Sequence, residues 1–111
     1  MVVVDITYMD LIDEIKALGF ECTYGSFKKK VSPPFTTIQY AYDSGMKADN
    51  QNYKDIGDYQ LELYTKIKHP PSETLVQDKL KELRLPYGKT ETRIKSEDLY
   101  QIVYDIQLIG G

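Results

Sequence analysis

Among its 111 residues the chain has one cysteine, Cys22, one histidine, His69, and no tryptophan. A lone cysteine cannot close an internal disulfide, which fits synthesis in a reducing, cytoplasmic place. One cysteine and one histidine fall short of the clustered ligands a zinc site uses. Neither the Walker pattern nor GxGxxG occurs, so no glycine-rich phosphate cradle is expected. No Ser/His/Asp or Cys/His set announces an activated nucleophile. The expectation is a protein with no catalytic, cofactor-binding or metal-binding residue, and hence no enzyme. His69, just before Pro70-Pro71, reads as an exposed loop histidine, and Cys22 as a buried or semi-buried structural thiol. Asp10, Asp13 and Glu14 read as a solvated helix start.

Long apolar runs are also missing. Nothing approaches the roughly 18 residues that span a bilayer, so no membrane partner is expected. The opening Met1-Val2-Val3-Val4-Asp5 lacks the basic stretch of a secretory signal. A net charge of −3 argues against a general nucleic-acid binder, which would carry a basic face. The length suits a single domain, 1–111.

What the chain has in quantity is tyrosine: ten, against three phenylalanines. A broad apolar ring with a polar tip suits a surface that is wet in the monomer and covered in a complex. Strands also favour tyrosine for reasons of fold alone.

Periodicity predicts the elements. Thr7 to Leu18 is a helix, with Thr7 as N-cap, Asp10 three positions on, an apolar stripe Leu11, Ile12, Ile15 and Leu18, and Gly19 to end it. Phe20 to Pro34 reads as irregular and contains the basic run Lys28-Lys29-Lys30. An extended run, Phe35 to Tyr42, sets Thr36, Ile38, Tyr40 and Tyr42 on one face. The polar stretch Asp43 to Asp58 is too long for a tight turn and reads as a hairpin arm. Tyr59 to Ile67 alternates cleanly, with Tyr59, Leu61, Leu63, Thr65 and Ile67 turned one way and Gln60, Glu62, Tyr64 and Lys66 the other. Pro70-Pro71-Ser72 caps a second helix from Glu73 to about Leu83. Lys89 to Ile94 and Leu99 to Ile109 are two further strands. The predicted fold class is α+β, in the order α-β-β-α-β-β. Two helices pack on one face of a mostly antiparallel four-stranded sheet with a long hairpin loop. The other face, with Gln60, Glu62, Tyr64, Gln101 and Asp105, is read as solvated and suited to a partner.

Several segments together carry a resemblance. They are Pro33-Pro34-Phe35-Thr36-Thr37-Ile38, the Ala48-Asp49-Asn50 loop with Tyr53, the strand Tyr59 to Thr65, the helix start Pro71-Ser72-Glu73, and Ser96-Glu97-Asp98-Leu99-Tyr100. This pattern resembles the tail-completion or head–tail joining proteins of siphophages, and in element order it is similar to tail-terminator proteins. The resemblance covers nearly the whole chain. It implies a structural virion protein that forms a homo-oligomeric ring, a hexamer, at the head–tail junction. Its partners would be the phage tail tube protein and the head connector or stopper protein. Genome DNA would pass through without specific binding, repelled where net negative charge lines the bore. No cofactor is implied. Two interfaces are expected, since each subunit of a ring uses a different patch toward each neighbour. One is the hairpin arm, with Met46, Lys47, Asp49, Asn50 and Tyr53. The other is the sheet face and basic loop, with Lys28, Lys29, Lys30, Tyr42, Glu62 and Tyr64.

Two other readings compete. A monomeric adaptor or regulatory protein would bind one protein partner through the tyrosine-bearing sheet face. A small hydrolase would need a pocket with a perturbed acid or base.

Overall fold

The computed structural model describes residues 6–43 and 56–109. Its elements are α1 (Tyr8–Ala17), β1 (Glu21–Tyr24), β2 (Phe35–Asp43), β3 (Ile56–Thr65), α2 (Pro70–Glu82), β4 (Gly88–Ile94) and β5 (Leu99–Ile109), with a short 3-10 turn at Lys95–Glu97. The fold is α+β, two helices and a five-stranded mixed sheet in the spatial order β1-β2-β3-β5-β4.

α1 begins as its residues dictate. The Asp10 backbone N–H donates to Thr7 Oγ1 at 3.2 Å, and the Thr7 N–H donates to Asp10 Oδ2 at 3.1 Å, a reciprocal capping box. Gly19 ends the helix at φ 104°, in the left-handed region. α2 starts earlier than the sequence suggests, at Pro70, and its N-cap is His69, not Ser72. Both prolines fit the first turn because their missing N–H groups have no helical partner there.

Two strand pairs close as antiparallel hairpins, β2 with β3 and β4 with β5, as the alternation predicts. β5 then lies between β4 and β3, antiparallel to both. The fifth strand is the departure from expectation. Within the stretch read as irregular, Glu21–Tyr24 runs parallel to β2, pairing Cys22 with Thr36 and Tyr24 with Ile38. Four residues give too short a window for period-two alternation to register. Thr36 Oγ1 reinforces the pairing by donating to the Glu21 carbonyl at 2.8 Å.

One core joins both helices to one sheet face. Leu11 and Ile15 of α1 and Val76 and Leu80 of α2 meet Ile38, Leu61, Leu63, Ile102, Tyr104 and Leu108, all fully buried or nearly so. Each such side chain contributes roughly 1.5–3 kcal/mol through lost water contact. The Tyr104 hydroxyl donates to Gln77 on α2 at 3.1 Å, so the buried ring keeps its polar tip paired. Cys22 is buried in this core, and burial pushes its thiol up from its ordinary value.

One other expectation needs correction. β3 stops at Thr65, so Ile67 leaves the inward row and is 65% exposed. Tyr40 shares the face of Ile38 as expected, paired with Tyr59 and edge-on to its ring, though it is 48% exposed. A bulge between Tyr40 and Tyr42 shifts the register beyond it.

Candidate functional site

The face of the sheet away from the helices carries the sequence-predicted interface, and the strand registers decide what meets what. Phe35 pairs with Tyr64, Thr37 with Glu62, Tyr64 with Gln101 and Gln60 with Asp105, so these side chains share one surface. Tyr64 is held from two sides. Its hydroxyl donates to Glu62 Oε1 at 2.9 Å and accepts from Gln101 Nε2 at 2.9 Å. Thr37 Oγ1 donates to the same carboxylate oxygen at 3.1 Å. The Tyr64 phenol is pushed up to about 12, first by burial and then by the Glu62 carboxylate that accepts its proton.

This network corrects the picture of a fully solvated face. Glu62 is only 9% exposed, with its carboxylate taken up by Thr37 and Tyr64. It lies on the same face as Tyr64 and holds the ring in place.

Beside Tyr64 the surface becomes aromatic. Phe35 stacks on Tyr64 with ring centroids 4.9 Å apart, and Phe27 meets Phe35 edge-on at 5.6 Å. These rings, with Ile94 and Leu99, line an open groove of about 690 Å³. Lys29, Lys30 and Lys66 stand around it, and among the described residues Glu97 is its one acidic lining residue. The loop bearing Lys29 and Lys30 is tied to the sheet at its root. Gly25 N–H donates to the Ile38 carbonyl at 2.9 Å, and Gln39 Nε2 donates to the Gly25 carbonyl at 2.6 Å.

Of the residues singled out from sequence, Lys29, Lys30 and Tyr64 therefore come together, and Lys28 is exposed on the same loop. Tyr42 is described through its backbone, paired with Asp58. Met46, Lys47, Asp49, Asn50 and Tyr53 lie outside the described residues. Sequence reasoning missed Phe27, Phe35, Lys66, Ile94 and Leu99. Phe35 carried a usable signal, since it alternates with the buried Thr36 and so had to face outward.

A different arrangement lies where the start of α2 meets the edge strand. Glu73, 5% exposed, accepts from Lys68 at 2.6 Å and from Lys89 of β4 at 2.7 Å, and Lys68 also reaches Glu91. Burial works to raise the Glu73 carboxyl. The two lysine hydrogen bonds outweigh it and hold the group below its ordinary value. The cluster ties α2 to β4. A smaller hollow of about 180 Å³ is lined by His69 and Ser72. His69 Nδ1 lies 2.7 Å from Ser72 Oγ and accepts from the Ser72 backbone N–H at 3.3 Å. That geometry is a helix cap. Among the described residues no three His, Cys, Asp or Glu side chains gather to hold a metal ion.

No protein-family model and no curated protein matches this sequence. The fold is similar to that of a chain in the solved structure described as the virion of native gene transfer agent (GTA) particle, with a TM-score of 0.52 and 12% identity, over 86% of this chain and 84% of that one.

Proposed function

We propose that this protein is a structural component of a phage-like virion that works by assembly and not by catalysis. Its copies form a ring at the head–tail junction, between the tail tube and the head connector. The observation that carries the reading is the fold similarity to a chain of a GTA virion, which runs through most of both chains. The sequence resemblance to tail-completion and tail-terminator proteins supports the finer placement.

The geometry of the sheet supports it as well. One face is sealed by two helices, and the other presents a rigid, partly aromatic surface. In a cyclic ring each subunit offers two different patches, one to each neighbour. The part of that face beyond the groove, around Gln60, Gln101 and Asp105, supplies one. The connection between β2 and β3, with Met46 and Tyr53 as apolar anchors, supplies the other. Docking such an arm loses chain entropy and gains contact area.

Light scattering tests the proposal, on the protein alone and mixed with tail-tube protein. Self-association into a closed ring in either sample is the expected outcome, and a strict monomer in both counts against it. Deleting Lys47 to Tyr53 should leave the sheet folded and stop assembly. A deletion variant that still assembles defeats the role given to the arm. A stable one-to-one complex with a single non-virion protein would favour the adaptor reading instead.

A further inference from the structure

We propose that the groove beside Tyr64 is a docking site for a short acidic peptide segment that carries one aromatic or branched aliphatic anchor and belongs to a partner protein. The inference deepens the assembly reading, on which it depends only for the partner's being a virion component. Its physical basis is the groove's own chemistry.

Charge complementarity selects the partner. Among the described residues three lysines and one glutamate line the groove, a positive surplus on a chain whose net charge is −3. Lys66 has an acidic neighbour, Asp98, at 3.7 Å, but both side chains are well exposed and water weakens the pair. Cations concentrated on an otherwise acidic protein steer an acidic ligand to that spot and disfavour a basic one. The floor selects the anchor. Phe27, Phe35 and Tyr64 form an apolar patch flanked by Leu99, where one large side chain would displace water.

The site is also preorganised, which lowers the ordering cost of binding. Tyr64 is fixed by Glu62 and Gln101, and the lysine loop is pinned through Gly25. A single nucleic-acid strand is the rival occupant, since lysines and aromatic rings are its usual receptors. Here Phe35 and Tyr64 each give one ring face to the other, and Phe27 meets Phe35 edge to face. Fewer ring faces are left open to bases. Glu62 beside Tyr64 and Glu97 on the wall further oppose a ligand with a charge on every unit.

The test is a titration of the isotopically labelled full chain, followed by amide NMR. The probes are a short aspartate-rich peptide with one central phenylalanine, the same peptide with asparagine for aspartate, and oligothymidylate. The acidic peptide should shift the amides of Lys29, Lys30, Phe35, Tyr64 and Leu99, and added salt should weaken it. Lys29→Glu with Lys30→Glu should weaken it about tenfold or more. Lys66→Glu alone gives a second reading should the double variant lose its dispersed spectrum. Equal binding of the uncharged peptide, tighter binding of the oligonucleotide at the groove, or shifts confined to another surface overturns the proposal. Self-association through the groove that the acidic peptide does not disturb also overturns it, because the occupant is then a second copy. Rings that assemble while the peptide leaves the groove unchanged defeat this inference alone. A monomer that binds the peptide defeats the ring and leaves the groove standing.

Discussion

The Tyr64 hydroxyl donates to the Glu62 carboxylate at 2.9 Å, across two positions of one strand. Side chains at i and i+2 of a strand share a face, so this contact runs along the sheet surface. It fixes the ring that Phe35 stacks on, and it fills a carboxylate that is otherwise close to dry. A side chain that would be mobile on an open sheet is in this way turned into a fixed part of the groove floor.

Replacing Tyr64 with Phe should keep the stacking and lose the hydrogen bond, at a cost of about 1–2 kcal/mol near neutral pH. The alkaline limb of stability carries a second signature. The Tyr64 phenol is held at about 12 in the fold, against roughly 10 in an unfolded chain. Between those values the unfolded state releases the proton first, so this contribution is complete below about pH 10 and fades as pH rises toward 12. Denaturation midpoints across that range should fall less steeply in Tyr64→Phe than in the wild type. Parallel slopes would mean the hydroxyl is not held by Glu62.

Glu73 makes the opposite prediction. Its folded pKa lies below the unfolded value near 4.3, because the Lys68 and Lys89 hydrogen bonds outweigh burial. Its contribution is therefore full above that value and is lost as pH falls through the folded one. Glu73→Gln should cost about 1–2 kcal/mol at neutral pH, modest because both lysines remain partly in water. Near pH 2 the two proteins should converge. A difference that persists in acid would assign the loss to packing instead of charge.

These pairs show what a sequence can carry. The Thr7–Asp10 capping box and the inward row of Leu61 and Leu63 were legible because their signals are local, a fixed spacing or an alternation over many residues. β1 was not legible, since four residues without clear alternation gain a strand only from β2 alongside. The groove was half legible. Lys29 and Lys30 stood out as a run, and Tyr64 as an outward tyrosine, but Phe35 meets Tyr64 only through the β2–β3 register, and Leu99 arrives from the start of β5. The buried state of Glu62 was hidden for the same reason, because Thr37 lies across the ladder from it. His69 was read as a loop residue because a histidine N-cap is outside the usual Ser, Thr, Asp and Asn signals.

The two helices end in closely related ways with different residues, and that contrast yields a last prediction. After α2, Arg84 N–H donates to the Lys81 carbonyl at 3.0 Å and Leu85 N–H to the Leu80 carbonyl at 2.9 Å. That pair of bonds is a Schellman cap, completed by Leu85 burying itself next to the last turn. The cap requires a left-handed residue, and Arg84 supplies it at φ 60°, where a Cβ is crowded. After α1 the equivalent place is taken by Gly19, which donates to the Lys16 carbonyl at 2.9 Å and meets no such crowding. Arg84→Gly should therefore raise stability by about 0.5–1 kcal/mol, with the strain relieved exceeding the entropy glycine adds to the unfolded chain. Gly19→Ala should lower it by about 1 kcal/mol, although space for the methyl is open, because the backbone angle alone is unfavourable. Thermal midpoints of the two variants should move in opposite directions from the wild type. A fall in Arg84→Gly would mean that the arginine side chain holds the cap by contacts that outweigh its strained backbone.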